Sequence, residues 1–143
     1  MSEFENFFQS KTARIYYDKH LDTLFLEYLG KVKNHAEFVE INSALLSAFK
    51  TLHTQKFVAD VRFMGIIAVE SQQWVVENLL PGMFDHLKGK PLYHAQLLDP
   101  AEVFSKISAA NIRSKSTQIA DGFQVEQFTD RADLENRLKN LPK

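Results

Sequence analysis

The stretch KFVADVRFMGIIAVESQQWVVENLLPGMFDHLKG, residues 56–89, decides the fold. It begins with a short apolar run, FVAD, of the kind that forms a strand buried on both faces of a parallel sheet. A loop follows, and then apolar residues recur with helical spacing at Val76, Leu79, Leu80, Met83, Phe84 and Leu87. This spacing stays in phase across Pro81, which favours one kinked helix over two separate ones. The loop between the strand and the helix is the candidate site.

Upstream of this stretch, two runs, ARIYYD and TLFLEYLG, flank the turn KHLD and predict an antiparallel hairpin. Asn34 then predicts the N-cap of a helix whose apolar face comprises Phe38, Ile41, Leu45, Ala48, Phe49 and Leu52. Residues 1–11 carry three phenylalanines among polar neighbours. We expect this segment to cover apolar surface, without assigning it a helix or a strand.

Downstream, the run LYHAQLL predicts a further strand. Asp99, Pro100 and Glu102 then supply an N-cap, a first-turn proline and an acid at the third position of a helix, with Val103, Phe104 and Ile107 facing inward. After a polar, irregular segment, GFQVEQF alternates as a final strand. Asp130 predicts the cap of a last helix, with a narrow stripe formed by Leu134, Leu138 and Leu141.

The predicted element order is ββαβαβαβα over a single domain, residues 1–143. Right-handed βα crossovers place helices on both faces of the central strands, and the hairpin is the antiparallel exception. The fold class is therefore α/β, with one five-stranded mixed sheet and helices packed on it.

The composition of the chain excludes several classes of function. The net charge is −1, so there is no basic excess to attract nucleic acid. The chain has no cysteine, which excludes disulfides, thiolate nucleophiles and cysteine-based zinc sites. No signal-peptide pattern or apolar run of membrane-spanning length occurs, which predicts a cytoplasmic protein with no transmembrane segment.

The chain resembles the SpoIIAA-like family of the STAS superfamily, to which anti-sigma factor antagonists belong. The resemblance rests on ADVRFMG followed by ESQQWVVENLLPGMF, and on DPAEVF and VEQFTDRADLENRL later in the chain. It covers nearly the whole sequence, but its motifs are structural, and fold alone does not fix function. It implies a five-stranded mixed sheet and, by analogy with the antagonists, a regulated protein partner.

One departure from that resemblance concerns its regulatory switch. The antagonists carry a phosphorylated hydroxyl in an Asp-Ser-Ser/Thr-Gly motif at the start of the second helix. Here Ala68, Val69, Glu70 and Ser71 stand in that neighbourhood, so the motif is missing. Ser71 is the nearest hydroxyl, but phosphate beside Glu70 places like charges together. We expect Ser71 to serve as an N-cap rather than as a modification site.

Catalytic and metal-binding motifs are absent from the sequence. There is no Gly-x-Ser-x-Gly, no phosphate-binding glycine loop and no His-Glu-x-x-His. The five histidines are dispersed, and only His86 and His94 are expected to approach each other, so we predict no metal site and no cofactor. Asp60 and Arg62 follow the central strand at the edge where α/β sheets bind ligands. We favour a structural ion pair, or an Asp60 that shapes the turn, over a polar ligand site.

The loop after Asp60 is the predicted contact surface, comprising Met64, Ile66, Ile67, Glu70 and Trp74. Its large apolar side chains suggest exposure, because loops normally face water. Trp74 lies opposite the apolar stripe of its helix, so it either covers the loop or joins an interface.

Three functions remain open from the sequence. The first is a non-enzymatic regulatory or interaction module with an unknown protein partner, or a second copy of the chain in a homodimer. The second is a carrier or sensor of a small apolar, lipid-like ligand, bound between the hairpin and the kinked helix. The third is an unrecognised enzyme that uses Asp60, Arg62 or a histidine.

Overall fold

The structure is a computed structural model that describes residues 3–65, 67–99 and 125–141. Six strands form one mixed sheet in the order β1-β2-β3-β4-β5-β6. The strands β1, β2 and β3 pair antiparallel, and β3, β4, β5 and β6 pair parallel. Their bounds are β1 (Phe4–Gln9), β2 (Ala13–Asp18), β3 (Thr23–Tyr28), β4 (Lys56–Asp60), β5 (Tyr93–Leu97) and β6 (Val125–Phe128).

The predicted count of five strands is wrong, because β1 lies within the N-terminal segment and pairs with β2. The register slips between Asn6 and Phe8, which is the mark of a β-bulge. A bulge breaks the alternation of inward and outward side chains, so Phe7 and Phe8 both pack against the core although they are adjacent. The sequence pattern of this strand therefore lacked the period of two that signals a strand.

Helix α1 (His35–Lys50) begins as the sequence predicts. The Asn34 side chain accepts a hydrogen bond from the backbone N–H of Glu37, at 2.9 Å. The Glu37 carboxylate reaches back to the backbone N–H of Lys33, at 2.6 Å. The two contacts satisfy amides that the helix itself leaves without partners, which explains why the helix begins here.

The second helix runs unbroken through α2 (Val69–Trp74), a π-helical turn (Val75–Leu79) and α3 (Leu80–Leu87). The backbone N–H of Leu80 bonds to the carbonyl of Val75, five residues earlier. This wider turn comes directly before Pro81, which has no N–H to donate. It also rotates the buried face, since Val75 is buried and Val76, the predicted core residue, is only half-buried.

Helix α4 (Arg131–Lys139) lies on the other face of the sheet. Asp130 caps it by accepting a hydrogen bond from the Ala132 N–H at 2.7 Å, as predicted. Leu134 and Leu138 pack with residues of β2 to β5 in one core, while α1, α2 and α3 contribute to the other. Helices thus cover both faces of the central strands. The helix predicted from Asp99 onward lies outside the described residues.

Among the helices described, none has both the length and the apolar character needed to span a membrane.

Candidate functional site

Asp60 and Arg62 form the ion pair that the sequence favoured. Arg62 Nε donates to Asp60 Oδ1 at 3.0 Å, and an Arg62 terminal nitrogen donates to Oδ2 at 2.8 Å. The ion pair is therefore bidentate, the strongest geometry that a guanidinium and a carboxylate make. Hydrogen bonding to Asp60 raises the pKa of Arg62. Asp60 is fully buried at the carboxyl edge of β4, so its role is to hold the start of the loop.

This pair also shapes a tight turn. Asp60 Oδ1 accepts the backbone N–H of Arg62 at 3.2 Å, and the N–H of Met64 bonds to the carbonyl of Val61 at 3.2 Å. Arg62 and Phe63 are the two central residues of the turn; the Arg62 side chain folds back onto Asp60, whereas Phe63 faces solvent. The Phe63 side chain is 54% exposed as a result.

The expectation that Met64 and Ile67 are exposed is wrong. Met64 is 2% exposed and Ile67 is 5% exposed, and both belong to the core beneath α1 and α2. The turn reverses the chain immediately after β4, so these side chains point back into the protein. Ile66 lies outside the described residues.

The backbone holds the loop in a defined shape. Gly65 has φ +74°, a left-handed conformation that favours glycine, and a Cβ there would lie 3.1 Å from the Lys31 side chain. Further along, the side-chain amide of Gln72 donates to the carbonyl of Ile67 at 3.3 Å. Packing of Met64 and Ile67 and the hydrogen bond from Gln72 therefore anchor the loop on either side of position 66.

Among the described residues from Val61 to Glu70, Phe63, Ala68, Val69 and Glu70 are exposed, and we call Phe63, Val69 and Glu70 the β4–α2 surface. Val69, at the first position of α2, is 63% exposed. Phe63 was missed because the predicted loop ran from Met64 to Glu70, and Val69 lay within that loop but was not among the residues named for the contact surface. The available signal was Asp60, since an aspartate that ends a strand often bonds to the amide two residues on and forces a turn.

Ser71 is not the N-cap of α2, which is Ala68. The Ser71 side chain is buried, and its Oγ lies 2.9 Å from His35 Nδ1, in a hydrogen bond that joins the starts of α1 and α2. A cavity of about 140 Å³ adjoins this pair. Phosphate on Ser71 would have to displace that hydrogen bond from a buried position, which supports the prediction that Ser71 is not a modification site.

Trp74 is half-buried and packs against the core shared with α1 and β3. It is therefore not opposite the core, as a regular helical wheel suggested. The π-helical turn that follows Trp74 changes the rotation per residue, so a wheel drawn at 100° misplaces the side chains on either side of it.

The histidines expected to meet have separate roles. His86 Nε2 lies 2.8 Å from the carbonyl oxygen of Leu52 and tethers α3 to the end of α1. His94 lies in the core, stacked on Phe57 with 4.7 Å between ring centres. Burial lowers the pKa of His94 to about 3, so the ring is neutral at pH 7. Within the described ranges, no group of three or more His, Asp or Glu side chains is placed to hold a metal ion.

A cavity beside His94 measures about 30 Å³ and is lined by Tyr28, Asn42, Met64 and Gln96 among others. That volume matches one water molecule, whereas small-molecule sites span roughly 300–1,000 Å³. A lipid-like ligand would need the hairpin and the second helix to separate, so this cavity gives no support to the carrier hypothesis.

No protein-family model matches the chain, and no curated protein or solved structure matches it either.

Proposed function

We propose that this chain is a non-enzymatic regulatory or protein-interaction module of the SpoIIAA-like type, which contacts a protein partner through the β4–α2 surface. The observation that carries the proposal is the exposure of Phe63 and Val69, which flank the buried residues Met64 and Ile67. Large apolar side chains at an interface core exclude water and supply much of the binding free energy.

The anchoring of the loop at Met64 and Ile67 strengthens the case. Met64 and Ile67 anchor it in the core, and the Asp60–Arg62 pair fixes its first turn. A loop that is already ordered loses little conformational entropy when a partner docks. The exposed side chains are therefore presented at low entropic cost, as expected of a recognition surface.

The position of the surface in the sheet supports the same conclusion. Glu27, Asp60, Leu97 and Phe128 lie side by side where β3, β4, β5 and β6 end. This carboxyl edge is where open α/β sheets place their binding sites. The loop that carries Phe63 leaves the sheet from this edge.

A double variant, Phe63→Ser with Val69→Ser, tests the proposal. The immobilised wild-type chain and the variant are incubated with lysate from the source cells, and the retained proteins are quantified by mass spectrometry. We expect at least one protein, or a second copy of the chain, to be retained about 30-fold less by the double variant. This corresponds to the loss of about 2 kcal/mol that marks an interface hot spot.

The matched control is Phe4→Ser, which removes an apolar side chain of similar exposure, 47%, from β1. This control should retain the same proteins as the wild type. If the double variant and the wild type retain the same proteins in the same amounts, and self-associate equally in sedimentation, the proposal is wrong.

A further inference from the structure

A third cavity, of about 330 Å³, lies over β1, β2 and β3 on the face that carries α4. Its lining comprises Phe4, Asn6, Arg14, Tyr16, Glu27 and Arg131. The volume falls at the lower end of the range for small-molecule sites. The lining carries two guanidinium groups and one carboxylate, a formal charge of +1. Neither sequence motifs nor the β4–α2 surface accounts for this pocket.

Aromatic rings hold both guanidinium groups in place. Arg14 lies over the Tyr16 ring at 4.4 Å, and Arg131 lies over the Phe25 ring at 4.6 Å. The Tyr16 and Phe25 rings are themselves stacked, with their centres 5.1 Å apart. Cation–π contacts of this kind fix the position of a long side chain that would otherwise sample many rotamers.

These groups retain capacity to donate hydrogen bonds. An Arg14 terminal nitrogen lies 3.3 Å from Glu27, but Arg14 Nε is buried and has no hydrogen-bond partner among the residues that the structure describes. Arg131 divides its contacts between Glu135, at 3.1 Å, and the Tyr16 hydroxyl, at 3.3 Å. Burial raises the pKa of Tyr16, so its hydroxyl accepts from Arg131 and keeps its own proton to donate.

Two aromatic rings, Phe4 and Tyr16, supply the apolar part of the lining. Phe4 meets the edge of Tyr16 with ring centres 5.5 Å apart and planes 81° apart, and it is 47% exposed. A ligand ring that packs on Phe4 would cover that surface. Because Glu27 repels a second negative charge, the pocket suits a monoanion better than a phosphate dianion.

We propose that this pocket binds a small aromatic carboxylate, with its carboxylate held by Arg14 and Arg131 and its ring against Phe4 and Tyr16. The guanidinium group of arginine is planar and positively charged, and two of its N–H groups can donate side by side to the two oxygens of a carboxylate. The inference does not rest on the proposed function, since the pocket and the β4–α2 surface share no residue.

Titration with benzoate, followed by amide chemical shifts in nuclear magnetic resonance, tests this proposal. Benzoate is small, so we expect a Kd on the order of 1 mM, with the largest shifts at residues 4–6, 14–16, 27 and 131. Benzamide, which has the same shape without the charge, should bind about tenfold more weakly or not at all. Inorganic phosphate should not displace benzoate at equal concentration.

Arg14→Gln should weaken benzoate binding at least tenfold while leaving the fold intact, because exposed ion pairs contribute little to stability. The matched control is Arg137→Gln, which removes an arginine paired with Glu126 outside the pocket. This control should bind benzoate as the wild type does. Three outcomes would overturn the proposal. They are no chemical-shift change at these residues at benzoate concentrations up to about ten times the expected Kd, benzamide binding as tightly as benzoate, or the same loss of benzoate affinity in both variants.

Discussion

Replacing Met64 with alanine is expected to lower the free energy of unfolding by about 3 kcal/mol, the middle of the range for truncating a buried methionine. Met64 is 2% exposed, and it packs with residues from the sheet and from the second helix. Removal of its side chain deletes those contacts and enlarges the small cavity that it already lines. Because Met64 anchors the loop, the variant should also loosen the β4–α2 surface.

The neighbouring residue supplies the control for this experiment. Phe63→Ala removes a larger side chain, but Phe63 is 54% exposed, and the Arg62 guanidinium lies 5.8 Å from the centre of its ring. We expect it to change the free energy of unfolding by less than about 1 kcal/mol. Urea denaturation of both variants measures the difference. Equal losses of stability would show that the turn after β4 does not separate a buried residue from an exposed one.

The second large effect is a pH dependence that arises from His94. Its pKa is about 3 in the folded chain because of burial, and about 6.5 is the ordinary value for an unfolded chain. Between these values the unfolded state binds one more proton, so stability falls as the pH falls. The loss in the free energy of unfolding caused by His94 is absent above pH 6.5. It grows by about 1.4 kcal/mol per pH unit below that value and stops growing near pH 3.

Between pH 7 and pH 5, His94 should therefore cost the wild type about 2 kcal/mol of stability. His94→Gln cannot titrate, so its free energy of unfolding should fall by about 2 kcal/mol less over the same interval. Urea denaturation of both chains at pH 7, 6 and 5 measures this difference, from which the contributions of other titrating groups cancel. Parallel pH profiles would contradict the buried, neutral imidazole.

Most of the sheet could be predicted from the sequence, because strands β2 to β6 carry regular apolar patterns bounded by turn residues. The starts of the helices at Asn34 and Asp130 could also be predicted from the sequence, because a side-chain cap is a local interaction. The two errors in the predicted fold have local causes, each of which breaks the regular spacing of apolar residues along the chain. A bulge in β1 adds a residue to a strand, and a π-helical turn before Pro81 adds one to a helix.

The candidate site was harder to predict for a different reason. The ion pair of Asp60 and Arg62 follows from spacing along one strand, but the burial of Met64 and Ile67 depends on a turn and on helices distant in sequence. The pocket over β1, β2 and β3 combines Arg14 with Arg131, 117 positions later in the chain. No periodicity within a single segment carries that information.

Site-specific photo-cross-linking tests whether the β4–α2 surface contacts a partner. A photoreactive phenylalanine analogue is placed at position 63 or, as a control of similar exposure, at position 4, and the source cells are irradiated. We predict a discrete cross-linked species from position 63 that is absent from position 4 and is lost when Val69→Ser is added. Cross-links from position 4 alone, identical products from both positions, or none from position 63 would contradict it.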